Sequence, residues 1–83
     1  MDTHSKKLLL IFNPKAGRSK PRGPLFDALA LLSENGYLVR IHRTTAAGDA
    51  AETAAREGGD YDLVVASGGD GTLNEVISGL SRL

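Results

Sequence analysis

Apolar and polar positions alternate along the chain in two distinct rhythms. Leu8-Leu9-Leu10-Ile11-Phe12 is an unbroken apolar run that Asn13-Pro14 ends. Its length and its stop suit a strand buried on both faces. After a loop from Asn13 to Gly23, Leu25, Ala28, Leu29 and Leu32 recur at i, i+3, i+4 and i+7. They make the apolar stripe of a helix that opens near Pro24, a residue tolerated in a first turn. Asn35-Gly36 stops it, with glycine supplying a left-handed residue. Tyr37 to His42 is a second strand, with Leu38, Val39 and Ile41 as its apolar members. Beyond the loop Thr44 to Gly48, Asp49 reads as a helix cap with Glu52 three residues on. That helix shows Ala50, Ala51, Ala54 and Ala55 on its face, and Gly58-Gly59 ends it. Leu63-Val64-Val65-Ala66 is a third strand and Gly68 to Gly71 a tight turn. A last helix runs from about Thr72 with Leu73, Val76, Ile77 and Leu80 on one face. Thr72 and Glu75 stand at capping-box spacing.

The order β-α-β-α-β-α predicts an α/β fold: a three-layer α-β-α arrangement around a parallel sheet. Right-handed crossovers are the default for such connections. Three strands leave both sheet edges open, and an open apolar edge invites pairing with another chain. Self-association through such an edge is therefore expected.

Composition narrows the chemistry. The 83 residues are 41% apolar and 24% charged, the balance of one soluble globular domain. Without cysteine there is no disulfide and no thiolate ligand, and only His4 and His42 could offer imidazole. That rules out the usual zinc sites. The run Leu8 to Phe12 is too short for a membrane span or a signal-peptide core. The expected location is cytoplasmic. Net charge is zero but uneven: residues 1–43 carry eight Lys/Arg against three Asp/Glu, and residues 44–83 carry two against seven. Lys15, Arg18, Lys20 and Arg22 crowd into eight positions. Such a cluster attracts phosphate, and equally suits a solvated loop. Nucleic acid is not an expected partner, because no aromatic residues interleave with the basic ones.

The sharpest chemical signal is Ser67-Gly68-Gly69-Asp70-Gly71-Thr72, which follows a buried strand and opens a helix. In an open α/β sheet, ligands bind at the carboxyl ends of the strands. A helix N-terminus offers unpaired N–H groups and partial positive charge, which suit phosphate. Glycines let the backbone approach a phosphate, and Thr72 can cap the helix or bond a phosphate oxygen. Asp70 is a carboxylate among groups suited to anions, which points to Mg²⁺ or a hydroxyl partner nearby. Neither G-x-x-x-x-G-K-[ST] nor G-x-G-x-x-G is present. Two more glycine-bearing loops, Asn13 to Arg18 and Thr44 to Ala50, also follow strands. All three loops belong to one rim of a parallel sheet.

These residues carry a family resemblance. Asn13-Pro14-Lys15-Ala16-Gly17-Arg18 resembles the N-P-x-x-G-[KR] signature of the diacylglycerol and sphingosine kinase superfamily. Gly68 to Val76 is similar to its G-G-D-G-T-x-N-E-V loop, and Thr44 to Ala50 to its T-x-x-x-G-D-A segment. The match runs from about Lys7 to Leu80 and is nearest the soluble bacterial lipid kinases. The resemblance implies a partial phosphofructokinase- and NAD-kinase-like nucleotide-binding domain. It implies ATP with Mg²⁺ as cofactors and a lipid hydroxyl, such as that of diacylglycerol, as phosphoryl acceptor. On that reading Gly68, Gly69, Gly71 and Thr72 hold the ATP phosphates. Asn74 supports the loop or contacts the nucleotide, Asn13, Arg18 and Thr44 line the rim, and Asp70 joins the network around Mg²⁺. The family's later G-T-x-N-D-F-A segment and β-rich second domain, with its acidic general base, have no counterpart here. Residues 1–83 are thus expected to be the N-terminal part of an ATP-binding domain, inactive alone. Peripheral membrane contact stays open. An NAD kinase shares the G-G-D-G-T loop, but Asn13 to Arg18 and Asn74-Glu75-Val76 fit lipid kinases better. A non-catalytic assembly module, motivated by the open edges, is the reading from another class.

Overall fold

The computed structural model describes residues 6–15 and 22–83. Strand β1 spans Lys6–Phe12, β2 Tyr37–Arg43 and β3 Leu63–Ser67; helix α1 spans Arg22–Glu34, α2 Asp49–Glu57 and α3 Asp70–Leu80. A 3-10 turn, Gly58–Asp60, follows α2. The strands form one parallel sheet in the order β2-β1-β3. The expected α/β architecture and element order are both present.

The central strand explains the rest. Leu8, Leu9, Leu10 and Ile11 are all buried, because β1 has a strand on each side and helices above and below. Each such side chain contributes roughly 1.5–3 kcal/mol of transfer free energy. Period-two geometry sends Leu8 and Leu10 to one face, where they pack with Leu29, Leu25 and Leu32 of α1. Leu9 and Ile11 face the other way, onto Ala50 and Ala54 of α2 and Val76 of α3. So α1 covers one face and α2 with α3 the other. Right-handed crossovers running in opposite directions from β1 and from β2 produce this arrangement.

Alpha-helices α2 and α3 approach closely. A Cβ on Gly79 of α3 would run into the backbone oxygen of Ala51 and lie 2.8 Å from the Cβ of Ala54. The small residues of α2 therefore serve helix contact as much as sheet contact.

Several boundaries and faces differ from the sequence reading. Helix α1 begins at Arg22, two residues before Pro24, and Ala28 of its expected stripe is exposed. Leu73 and Ile77 of α3 are also exposed, at 49% and 54%. The apolar arc of α3 is wider than the strip that α2 and the sheet cover. Among the described residues no helix is long and apolar enough to cross a membrane.

Candidate functional site

The sheet order itself selects a location. From β1 the chain leaves to one face, and from β3 it leaves to the other. A crevice therefore opens between the carboxyl ends of these neighbouring strands, the usual ligand position in such sheets. Hydrogen bonding continues past the strand ends and brings the loops together. The backbone N–H of Asn13 donates to the Ser67 carbonyl at 2.9 Å, and that of Thr44 to the Phe12 carbonyl at 2.8 Å. Asn13 Nδ2 then donates to Thr72 Oγ1 at 3.2 Å, while Asn13 Oδ1 accepts the Lys15 N–H at 2.9 Å. One side chain thus shapes its own turn and ties it to α3.

A cleft of about 300 Å³ opens on this rim. Asn13 and Lys15 line one part, Thr44 to Ala47 with Ala50 a second, and Gly71, Thr72 and Glu75 a third. The three glycine-bearing loops therefore share one site, as their position after the strands predicts. Of the residues singled out in the sequence, Asn13, Thr44, Gly71 and Thr72 border this cleft. Gly68, Gly69, Asp70 and Asn74 are exposed beside it and do not line it. Arg18 lies outside the described residues.

The glycines divide their work. At Gly68, with φ of 156°, a Cβ would meet Thr72 Oγ1 at 2.6 Å and the Asn13 Cβ at 3.1 Å. This glycine lets loop and helix close on each other, an internal role. A Cβ on Gly71 would meet nothing within 4 Å. Its backbone is thus the open part of the cradle.

Two helix N-termini face the rim, and they differ. Helix α3 starts at Asp70 with Gly69 as N-cap, and no side chain caps it. Thr72 is not the cap that its sequence position suggested. It lies one turn in, buried, receiving Asn13. Helix α2 starts at Asp49, and its N-cap is Gly48, with φ of 90°. Asp49 is not the cap either. Glu75 supplies the capping carboxylate from α3: Oε2 accepts the Gly48 N–H at 3.1 Å and Oε1 the Ala51 N–H at 3.4 Å. Of these two helices, α3 is thus the one whose first turn meets no side-chain cap, which suits an anion.

Asp49 has another task. Its carboxylate accepts the Thr45 N–H at 2.8 Å and the Thr53 hydroxyl at 3.0 Å. His42 Nε2 lies 3.1 Å from both Asp49 Oδ1 and Thr53 Oγ1. Since Thr53 spends its proton on Asp49, the proton on Nε2 is shared between the two oxygens. Burial pushes the Asp49 carboxyl up. The Thr45 backbone N–H, His42 and Thr53 together outweigh this and hold it below the usual carboxylate value. The network anchors the Thr44–Ala47 wall from beneath.

Sequence reasoning passed over Glu75 as a cleft residue and His42 as an anchor. Each partner of Glu75 lies 24 or 27 residues away. The i+3 spacing to Thr72 offered only a local partner. No group of three or more His, Cys, Asp or Glu among the described residues could hold a metal ion. Asp70 alone does not make a cation site.

Known proteins share this sequence pattern and fold. Residues 7–83 match the diacylglycerol kinase catalytic domain family. A diacylglycerol kinase of Bacillus subtilis (strain 168) is 42% identical over 80 residues, covering 94% of this chain and 26% of that protein. One of Staphylococcus aureus (strain MRSA252) is 42% identical over 80 residues, covering 93% and 25%. A solved diacylglycerol kinase structure from Bacillus anthracis str. Sterne superposes with a TM-score of 0.76 at 32% identity, covering 99% of this chain and 30% of that one. The chain spans about a quarter of the length of the curated relatives it matches.

Proposed function

The chain belongs to the diacylglycerol kinase catalytic domain family, and on that premise we propose that it is the N-terminal ATP-binding portion of a lipid kinase. The observation that carries this reading is the uncapped N-terminus of α3 at the mouth of the cleft, pinned to β1 by the Asn13–Thr72 hydrogen bond. The N–H groups of α3's first turn and the open backbone at Gly71 hold the phosphates of ATP. Lys15 brings positive charge to the same rim. Thr44 and its loop form the opposite wall for the nucleoside, and Asn74, exposed beside the cleft, supports the glycine turn or contacts the nucleotide. Gly68 and Gly69 shape that turn.

The proposed reaction moves the γ-phosphoryl to a lipid hydroxyl such as that of diacylglycerol. The bond between γ-phosphorus and its bridging oxygen breaks, a bond from phosphorus to the acceptor oxygen forms, and ADP leaves. The hydroxyl proton passes to a base, placed by this reading in the further length that the relatives possess. Such chemistry depends on positioning and charge neutralisation more than on covalent help from the protein. Among the described residues no group forms a metal site, so on this reading Mg²⁺ would arrive ligated by the phosphates. Asp70, exposed at the first position of α3, is near enough to the glycine turn to take part in the surrounding polar network.

An NMR titration of the ¹⁵N-labelled chain with Mg-ATP tests the binding half of this reading. Expected are shifts centred on Asn13 to Lys15, Thr44 to Ala47 and Gly68 to Asn74. A folded spectrum indifferent to Mg-ATP counts against a nucleotide site in this chain.

A further inference from the structure

Among the described residues, the Glu75 carboxylate is the side-chain group that hydrogen-bonds from α3 to the start of α2 at the cleft's rim. It stands three residues after Thr72, nearly one helical turn, so it moves with the phosphate wall. Its two oxygens hold Gly48 and Ala51, the N-cap and the third residue of α2. Those residues directly follow the Thr44–Ala47 wall. We propose that Glu75 is a positioning residue of the cleft: by capping α2 from α3 it fixes the spacing between the phosphate wall and the nucleoside wall. This inference rests on the nucleotide reading above.

The chemistry requires this residue type. A carboxylate offers two acceptors and no donor, and it faces two backbone N–H donors. Glutamine keeps the length but turns one acceptor into a donor, which then opposes an N–H. Aspartate keeps the charge but is one methylene shorter and cannot span both donors. The two variants therefore separate charge from reach.

The experiment uses the labelled chain and its Glu75→Gln and Glu75→Asp variants, with Mg-ATP as probe. Amide hydrogen exchange at Gly48 and Ala51 reads the cap, and the titration reads the cleft. In the wild type both amides are expected to be protected. In both variants they are expected to exchange about fivefold faster or more, and the dissociation constant for Mg-ATP to rise by about fivefold or more. Variant affinity equal to wild type overturns the inference while leaving the nucleotide reading standing. Weaker binding with Gly48 and Ala51 still protected also overturns it, because Glu75 then acts on the ligand directly. If a variant does not fold, unprotected Gly48 and Ala51 in the wild type overturn the inference without it. A wild-type chain that ignores Mg-ATP removes the nucleotide reading itself, and the positioning role with it.

Discussion

Asp49 illustrates how much one carboxylate can organise. It collects Thr45, Thr53 and His42 at the foot of the cleft's loop wall. Its carboxyl is held below the usual value, so its ionised form favours the fold. That stabilisation is fully present above the unfolded value of about 4. It is lost as pH falls through the lower folded value. Denaturant unfolding at neutral pH and near pH 3 should therefore show a smaller acid loss for Asp49→Asn than for the wild type. Equal losses would mean that other carboxylates carry the acid sensitivity. The amide cannot satisfy all of these donors at once, so Asp49→Asn should also be less stable at neutral pH, by about 1–3 kcal/mol. This residue was legible only in part. Its spacing to Glu52 gave the helix start to within one residue, yet its bonds run to β2, the preceding loop and Thr53. Asn13 fared better: its place after a buried strand put it on the rim, where it bonds Thr72.

Strands and helices were largely readable, because burial on two faces leaves an unbroken apolar run and glycine marks the exits. β1 shows this, with its expected core Leu8–Phe12 inside Lys6–Phe12; the run Leu63–Ala66 likewise lies within β3, Leu63–Ser67, although this edge strand is only half-buried. What was not readable is which part of an apolar arc finds a partner. Val76 is buried while Leu73 and Ile77 on the same helix are exposed. Periodicity gives a face, and only the neighbouring element decides how much of it is covered. The caps were misread for a similar reason: local spacing suggests local partners, whereas α2 is capped from α3. The α2–α3 contact itself rests on Gly79. Gly79→Ala should destabilise the fold by about 1–3 kcal/mol through overpacking against Ala51 and Ala54. Urea unfolding checks this, and a variant as stable as wild type would mean the helices can separate at little cost.

At the scale of the molecule, the sheet has β2 and β3 as its outer strands among the described residues. Leu38 and Ile41 on β2 and Leu63 on β3 are 60%, 50% and 40% exposed. Apolar side chains along an unpaired edge favour association with another chain. Sedimentation of the 83-residue chain should show dimers or larger species growing with concentration, and Ile41→Lys should reduce them. A monomer across the accessible concentration range would show that neither edge pairs in solution. The rim, by contrast, depends on the sheet's centre. Its loops spring from β1 and its two neighbours, so edge pairing leaves the cleft's floor in place. The cleft has one more property, which follows from the carboxylate of Glu75 sitting on α2. Of the two positive helix ends at the cleft, one is already neutralised from within the molecule. An elongated ligand with one anionic and one neutral end is therefore not free to enter either way round. On the nucleotide reading, its direction would be set before any base or sugar is recognised.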